Sequence, residues 1–336
     1  MRKTLVGLIV TCAMVIVSHA AQAAAPPVLK EGEIWVNGRI LRSLQAAFDE
    51  VLIGGIIRIG PGVFKQAGIL RKKHGVHISG TEDTIFDGVA AGGKAAFVIA
   101  SNDVTIEDIT CRNITVKDRN GACVRFEGKN LTLRHVTFTD SENGVLAGGN
   151  PGRILVEDSV FERNGKDGRA HGIYVNGGEL TILRSKFLSS KDEGHEIKSR
   201  ASRLVIKDSI IASLEGNDSR LVDIANGGIA IIQNNLFVEG SKTVNWQLFS
   251  FGVEKAKFST NILKLEKNVI VTDREGGSEL ILVGKDMPAP IVRNNIMVGK
   301  FIKKDWSEGN FLYKDRAELK WPDAPNLPDW DPRKAK

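Results

Sequence analysis

Three short stretches hold most of the side chains that could do chemistry: His171-Gly-Ile-Tyr174, Gly194-His-Glu-Ile-Lys-Ser-Arg-Ala201 and Arg220-Leu-Val-Asp-Ile-Ala-Asn226. Between them they carry two imidazoles (His171, His195), a phenol (Tyr174), an ammonium (Lys198), two guanidinium groups (Arg200, Arg220) and two carboxylates (Glu196, Asp223). Breaking a uronic-acid polymer by β-elimination needs such groups: cations to neutralise the sugar carboxylate, a base for the C5 proton and an acid for the departing O4. In this reading Lys198, Arg200 and Arg220 clamp the carboxylate while His171, Tyr174 or His195 move protons. Lys198 between arginines would feel like charges, which lowers its pKa towards a usable base. Glu196, Arg220, Asp223, Asn226 and Trp246 are assigned to substrate binding. Two other chemistries use the same residues. A glycoside hydrolase would pair Glu196 with Asp223, and a non-catalytic glycan binder would stack sugars on Trp246, Tyr174 and Phe251. Any one of these charges alone reads as a solvated side chain, and Lys198 with Asp223 as a surface ion pair. Their density over neighbouring segments is what marks a site.

Something must bring these stretches together, and the sequence shows it as a repeat. An eight-residue unit with alternating apolar positions recurs, as in Leu131-Thr-Leu-Arg-His-Val-Thr-Phe138, Ile154-Leu-Val-Glu-Asp-Ser-Val-Phe161 and Leu204-Val-Ile-Lys-Asp-Ser-Ile-Ile211. The unit endings from Cys111 through Phe138, Phe161, Phe187, Ile211, Phe237 and Ile270 to Met297 fall 27, 23, 26, 24, 26, 33 and 27 residues apart. Period-two alternation means strands, and polar Gly/Asn/Asp/Ser turns without intervening helices mean that the strands wind as a coil. The fold expected is all-β: a right-handed parallel β-helix whose coils stack their inward residues into one apolar column. The Phe138, Phe161, Phe187, Ile211, Phe237 series should stack at roughly 4.8 Å. The polar residue inside each unit (His135, Asp158, Arg184, Asp208, Asn234, Lys267, Asn294) is a turn position. Strand alternation puts Tyr174, Glu196, Lys198 and Asp223 on the outer face, with His195 at an inward register.

The ends are read separately. Residues 1–23, with Arg2, Lys3, the apolar run Leu5 to Val17 and Ala21-Gln-Ala23, form a cleavable signal peptide, which implies a periplasmic or secreted protein. Residues 24–302 form the β-helix domain. Its N-terminal cap is a helix begun by Ser43, with Leu44, Ala47, Phe48 and Val51 as its apolar face and Gly54-Gly55 as its stop. Residues 303–336 lose the repeat and read as an extended tail folded along the solenoid with Trp rings in outer grooves. Removing the leader lowers the formal charge from +6 to +4, a modest basic excess suited to a polyanionic glycan. Basic residues are interleaved with acids, which excludes a nucleic-acid partner, and no permanent membrane span is expected. Cys111 and Cys123 read equally as one disulfide or as two buried thiols. No cofactor is required; Ca²⁺ would have to rely on Glu196, Asp223, Asp192 and Glu193. Oligomeric state does not follow.

Residues 30–300, through this unit repeat, resemble the pectate-lyase-like superfamily of right-handed β-helices. Glu196-Ile-Lys198-Ser199, with Arg220 one coil on, is locally similar to the chondroitinase B and alginate lyase type. That resemblance implies Lys198 as base assisted by Arg220. Asp223 departs from it, standing where an Arg is expected, and this puts a calcium-bridged mechanism in doubt. The superfamily also hosts hydrolases, epimerases and phage adhesins, so the fold alone does not choose the reaction.

Overall fold

The computed structural model describes residues 27–321. It is an all-β parallel solenoid of about nine turns with two helices. Each coil contributes one strand to each of three sheets, so strands three apart in sequence are neighbours in space. The eight-residue unit is a strand of the first sheet, a sharp bend and a strand of the second: Arg203–Lys207 is followed by Ile210–Ala212. The third sheet is built from the strand that closes each coil, such as Ile173–Val175, Ile197–Ser199, Val222–Ile224 and Gln247–Phe251.

Two devices fix this winding. The bend residue takes the left-handed backbone in every unit named above: His135, Asp158, Arg184, Asp208, Asn234, Lys267 and Asn294 have φ between 47° and 58°. The residue after it points inward and stitches coils together. The side-chain oxygens of Ser159, Ser185, Ser209, Asn235, Asn268, Asn295 and Asn310 each accept the main-chain N–H of the equivalent residue one coil earlier, at 2.9–3.2 Å. This ladder satisfies main-chain donors that the bend would otherwise bury unpaired. Beside it runs the apolar column. Phe138, Phe161, Phe187, Ile211 and Phe237 pair in register and are at most 1% exposed, with the Phe161 and Phe187 rings stacked at 4.5 Å.

At the N-terminal end an antiparallel hairpin, Ile34–Val36 with Arg39–Leu41, edges the first sheet. The helix Leu44–Glu50 follows, with Ser43 Oγ accepting from the Ala46 N–H and Leu44, Ala47 and Phe48 buried. At the other end the solenoid continues beyond Lys303, where the sequence pattern fades. Phe311–Tyr313 pairs in parallel with Ile296–Val298, and Asn310 closes the ladder. This last coil is short and lacks an alternating first strand, so its repeat is invisible in sequence. Trp306, expected in an outer groove, instead packs into the central core at 8% exposure. Trp321 does lie outside, with Leu319 against a second apolar cluster that includes Val271 and Val298. The leader at 1–23 and the end of the tail, including Trp330, lie outside the described residues. Cys111 and Cys123, left open by the sequence, are joined as a disulfide with a Cα–Cα separation of 5.7 Å. Among the described residues no helix is long and apolar enough to cross a membrane.

Candidate functional site

Parallel in-register pairing carries residues scattered along the chain onto one row. On the outer face of the third sheet Tyr174 lies beside Lys198, Lys198 beside Asp223, and Asp223 beside Ser250. Neighbouring strands are roughly 4.8 Å apart, so side chains of adjacent rungs can touch. Lys198 Nζ donates to Asp223 Oδ2 at 2.6 Å and to Glu254 Oε1 at 2.8 Å. Ser250 Oγ donates to Asp223 Oδ1. Arg200 grips Glu254 Oε2 through Nε and Nη2 and lies over the Tyr174 ring, its Cζ 5.0 Å from the centroid. Among the described residues the Tyr174 hydroxyl makes no hydrogen bond.

These contacts set the charge states. Burial would lower the Lys198 pKa, but Asp223 and Glu254 outweigh it and hold the ammonium above its ordinary value. Burial would raise the Asp223 carboxyl, yet His195, Lys198 and Ser250 hold it below its ordinary range. Glu254 is likewise held low, Lys198 and Arg200 overcoming its partial burial. The expectation that Lys198 is a lowered-pKa base is therefore corrected: it is a fixed cation because two carboxylates, not two arginines, are its neighbours.

The histidines differ from expectation for a structural reason. They stand in a second ladder at the turn into the third sheet. Asn143 Oδ1 accepts the His171 N–H at 2.9 Å, His171 Nδ1 accepts the His195 N–H at 3.1 Å, and His195 Nδ1 accepts the Arg220 N–H at 3.1 Å. Their rings stack at 5.0 Å. An Nδ1 that accepts must be unprotonated, so this hydrogen bonding assigns the proton of each neutral ring to Nε2. Burial lowers the His171 pKa well below its ordinary value and takes His195 to about 4. With Nδ1 occupied and Nε2 already protonated, neither ring can take a proton without breaking the ladder. Their proposed proton-transfer role is corrected to a positioning one, in which His195 Nε2 faces Asp223 Oδ2 at 3.4 Å.

Glu196 points the opposite way from the sequence expectation. It is fully buried, its carboxyl accepting from Ser190 N at 2.6 Å and Ser190 Oγ at 2.8 Å, and burial pushes its pKa up to about 8. It cannot bind substrate or pair with Asp223 across a sugar. Arg220 precedes its strand and Arg200 follows the neighbouring one, so they flank opposite ends of the row and do not clamp one point. The Arg220 guanidinium instead donates to Gln247 Oε1 at 3.4 Å. Asn226 is 8% exposed, and its side-chain oxygen has no partner among the described residues. Trp246 lies off the row with Lys303 Nζ 5.3 Å from its ring centroid, and Phe251 is fully buried, so neither joins Tyr174 in a stacking platform. Among the described residues no three His, Cys, Asp or Glu side chains are grouped to hold a metal ion.

Sequence reasoning missed Ser250, Glu254 and Arg125. Ser250 was reachable by carrying the register one strand further. Glu254 lies in the longest of these spacings, the 33 residues between Phe237 and Ile270, whose length marks an insertion but not where its side chains go. Arg125 shares the outer row with Leu146 and Tyr174. It lines a cleft of about 320 Å³ with Leu146, Arg169, Tyr174, Asn176 and Asp118.

The fold and site together define a parallel β-solenoid bearing a polar, charge-paired row beside a basic cleft on one sheet. No family model matches the chain, and no curated protein matches it. Among solved structures it is similar to a pectin methylesterase in complex with hexasaccharide VII, at 13% identity over 87% of this chain and 96% of that one, TM-score 0.45. It is also similar to ORF18 of Geobacillus virus E2, at 15% identity over 78% of this chain and 56% of that one, TM-score 0.39. At such identities and scores these likenesses say nothing of activity. The fold assignment rests on the strand order and register described above.

Proposed function

We propose that the protein is exported and acts on an acidic, uronate-containing polysaccharide, with β-elimination as its reaction and no nucleic-acid or membrane partner. The observation that carries this reading is the unpartnered Tyr174 hydroxyl on the cleft wall, between Arg200 at its ring and Arg125 and Arg169 across the cleft. A uronate carboxylate ion-paired to Arg125 is neutralised by it, which acidifies C5–H. The phenolate form of Tyr174 takes that proton, the C4–O4 bond breaks, a C4–C5 double bond forms, and the resulting phenol returns the proton to O4. Lys198, Asp223 and Glu254 hold Arg200, and with it the Tyr174 ring, in place. The hydrolase alternative loses support from the same site. It needs one protonated carboxyl, whereas Asp223 and Glu254 are both held low and Glu196 is sequestered. One observation favours a second reading, glycan binding without turnover: the row spends most of its charges on one another.

Incubating the purified protein with polygalacturonate and polymannuronate separates these. The lyase reading expects ultraviolet absorbance from unsaturated ends, lost at least 100-fold in Tyr174→Phe with binding retained. Reducing ends without absorbance, or full activity in Tyr174→Phe, would refute it. Binding of the wild type without either product would leave the non-catalytic reading standing.

A further inference from the structure

A second cavity, of about 550 Å³, adjoins the cleft beside Tyr174 and is lined by Lys117, Asp118, Arg119, Asp167 and Arg169. Asp118 and Arg169 line both spaces, so the two lie side by side. Lys117, Asp118 and Arg119 sit in the loop between the strands Thr110–Arg112 and Ala122–Phe126, which the Cys111–Cys123 disulfide closes. The loop is held from three sides. The disulfide ties its ends, the buried Glu142 carboxylate on the next coil accepts the N–H groups of Val116 at 3.1 Å and Gly121 at 2.6 Å, and Arg119 pairs with Asp167, on the loop two coils on, at 2.6 Å. Across both cavities four cations, Lys117, Arg119, Arg125 and Arg169, face two carboxylates. Lys117 and Arg169 are exposed and make no ion pair among the described residues. A loop fixed this firmly, with spare charge at its tip, has the form of a binding wall.

We infer that the disulfide-closed loop is an anion subsite: Lys117 and Arg169 receive a second acidic group of a chain whose reacting sugar lies at Tyr174, and the Cys111–Cys123 bond sets the loop in position. Lys117 lines the second cavity and not the cleft that Tyr174 and Arg125 share, so the ligand reaches beyond the reacting sugar and is an oligomer with repeated acidic groups. The inference rests on the functional reading above and adds the residues that hold the chain away from the reacting centre.

The test measures binding of uronate decamers, with a neutral glucan decamer as control, to the full oxidised protein and to Lys117→Ala/Arg169→Ala. Both replaced side chains are exposed, so folding is not at stake. Affinity should fall roughly 10- to 25-fold in the double variant, about fivefold or less for each charge. Its salt dependence should flatten while its unfolding temperature is unchanged. Reduction under native conditions, verified by alkylation of both thiols, or Cys111→Ser/Cys123→Ser with unchanged far-ultraviolet circular dichroism, should weaken binding at least fivefold. If the serine variant does not fold and the bond resists reduction, the charge variant decides alone. Equal binding by the charge variant and wild type overturns the subsite; unchanged binding after verified reduction overturns the role of the disulfide. Wild type that binds neither decamer overturns the functional reading itself, and the subsite with it.

Discussion

Replacing Glu196 by Gln should stabilise the protein at neutral pH. Glu196 is one of three carboxyls buried on successive coils behind the candidate site, with Asp218 and Glu239. Burial raises all three: Glu196 to about 8, Glu239 to about 7, and Asp218 well above its ordinary value with Glu196 adding to the effect. An unfolded chain releases the Glu196 proton near its ordinary value of 4.5, whereas the folded chain keeps it up to about 8. Folding at pH 7 therefore requires taking a proton back, which costs about 3 kcal/mol at 1.36 kcal/mol per pKa unit. For this group stability is greatest below 4.5, falls as pH rises to about 8, and is flat beyond. Glutamine carries no such cost. Its oxygen can still accept the Ser190 N–H, and its amide can donate to Ser190 Oγ, the two contacts Glu196 makes now. The expected gain is about 2–3 kcal/mol at pH 7, shrinking towards zero at pH 4.5. Urea unfolding of both proteins across this range measures it. A variant no more stable than wild type at pH 7, or a difference that does not shrink on acidification, would refute a protonated, buried Glu196.

Two other perturbations address the ladders. Asn268→Ala removes an inward side chain that accepts from Asn235 N and donates to Ile232 O and Asn295 Oδ1, and should cost about 2–4 kcal/mol by orphaning buried groups, read as a lower urea midpoint. His195→Asn retains an acceptor of the kind Asn143 offers two coils earlier and removes a group whose folded pKa is about 4. Wild-type stability from this group is present above about 6.5 and is lost as pH falls towards 4. The variant's melting temperature should be less sensitive to acid across that window, and an unchanged acid limb would count against a neutral, ladder-bound ring.

The solenoid was legible because its signal is repeated. Period-two alternation recurs at a near-constant spacing, and each bend residue takes the same backbone conformation even where it is His135, Arg184 or Lys267, which disfavour it. Agreement across many coils outweighs any one residue's preference. The ladder was half legible: Ser and Asn after each bend were visible, but their inward direction follows from the bend geometry, which composition does not show. The last coil was not legible, since Asn310 and Phe311–Tyr313 offer too few positions to establish a period.

The faces on which the candidate residues lie follow strand alternation where it applies and depart from it one residue outside it. Tyr174, Lys198 and Asp223 lie within Ile173–Val175, Ile197–Ser199 and Val222–Ile224, so counting by two placed them on one face. His195 and Glu196 precede the strand Ile197–Ser199. There the chain is still turning, and the directions invert: His195 faces the Asp223 side while Glu196 is drawn inside. That inversion decided the chemistry assigned to the row. It removed Glu196 as a hydrolase carboxylate, fixed the histidines in a ladder, and left Lys198 between acids brought from other coils. Charge partners in a solenoid come from other coils, Asp223 one coil on and 25 residues away, Glu254 two coils on and 56 residues away. Neighbours in sequence, such as Arg200 beside Lys198, were therefore the wrong guide to its pKa. Tyr174 keeps its place through the same reasoning, because its row is set by strand register and its neighbour on the strand beneath is Leu146, which offers its hydroxyl no hydrogen-bonding group.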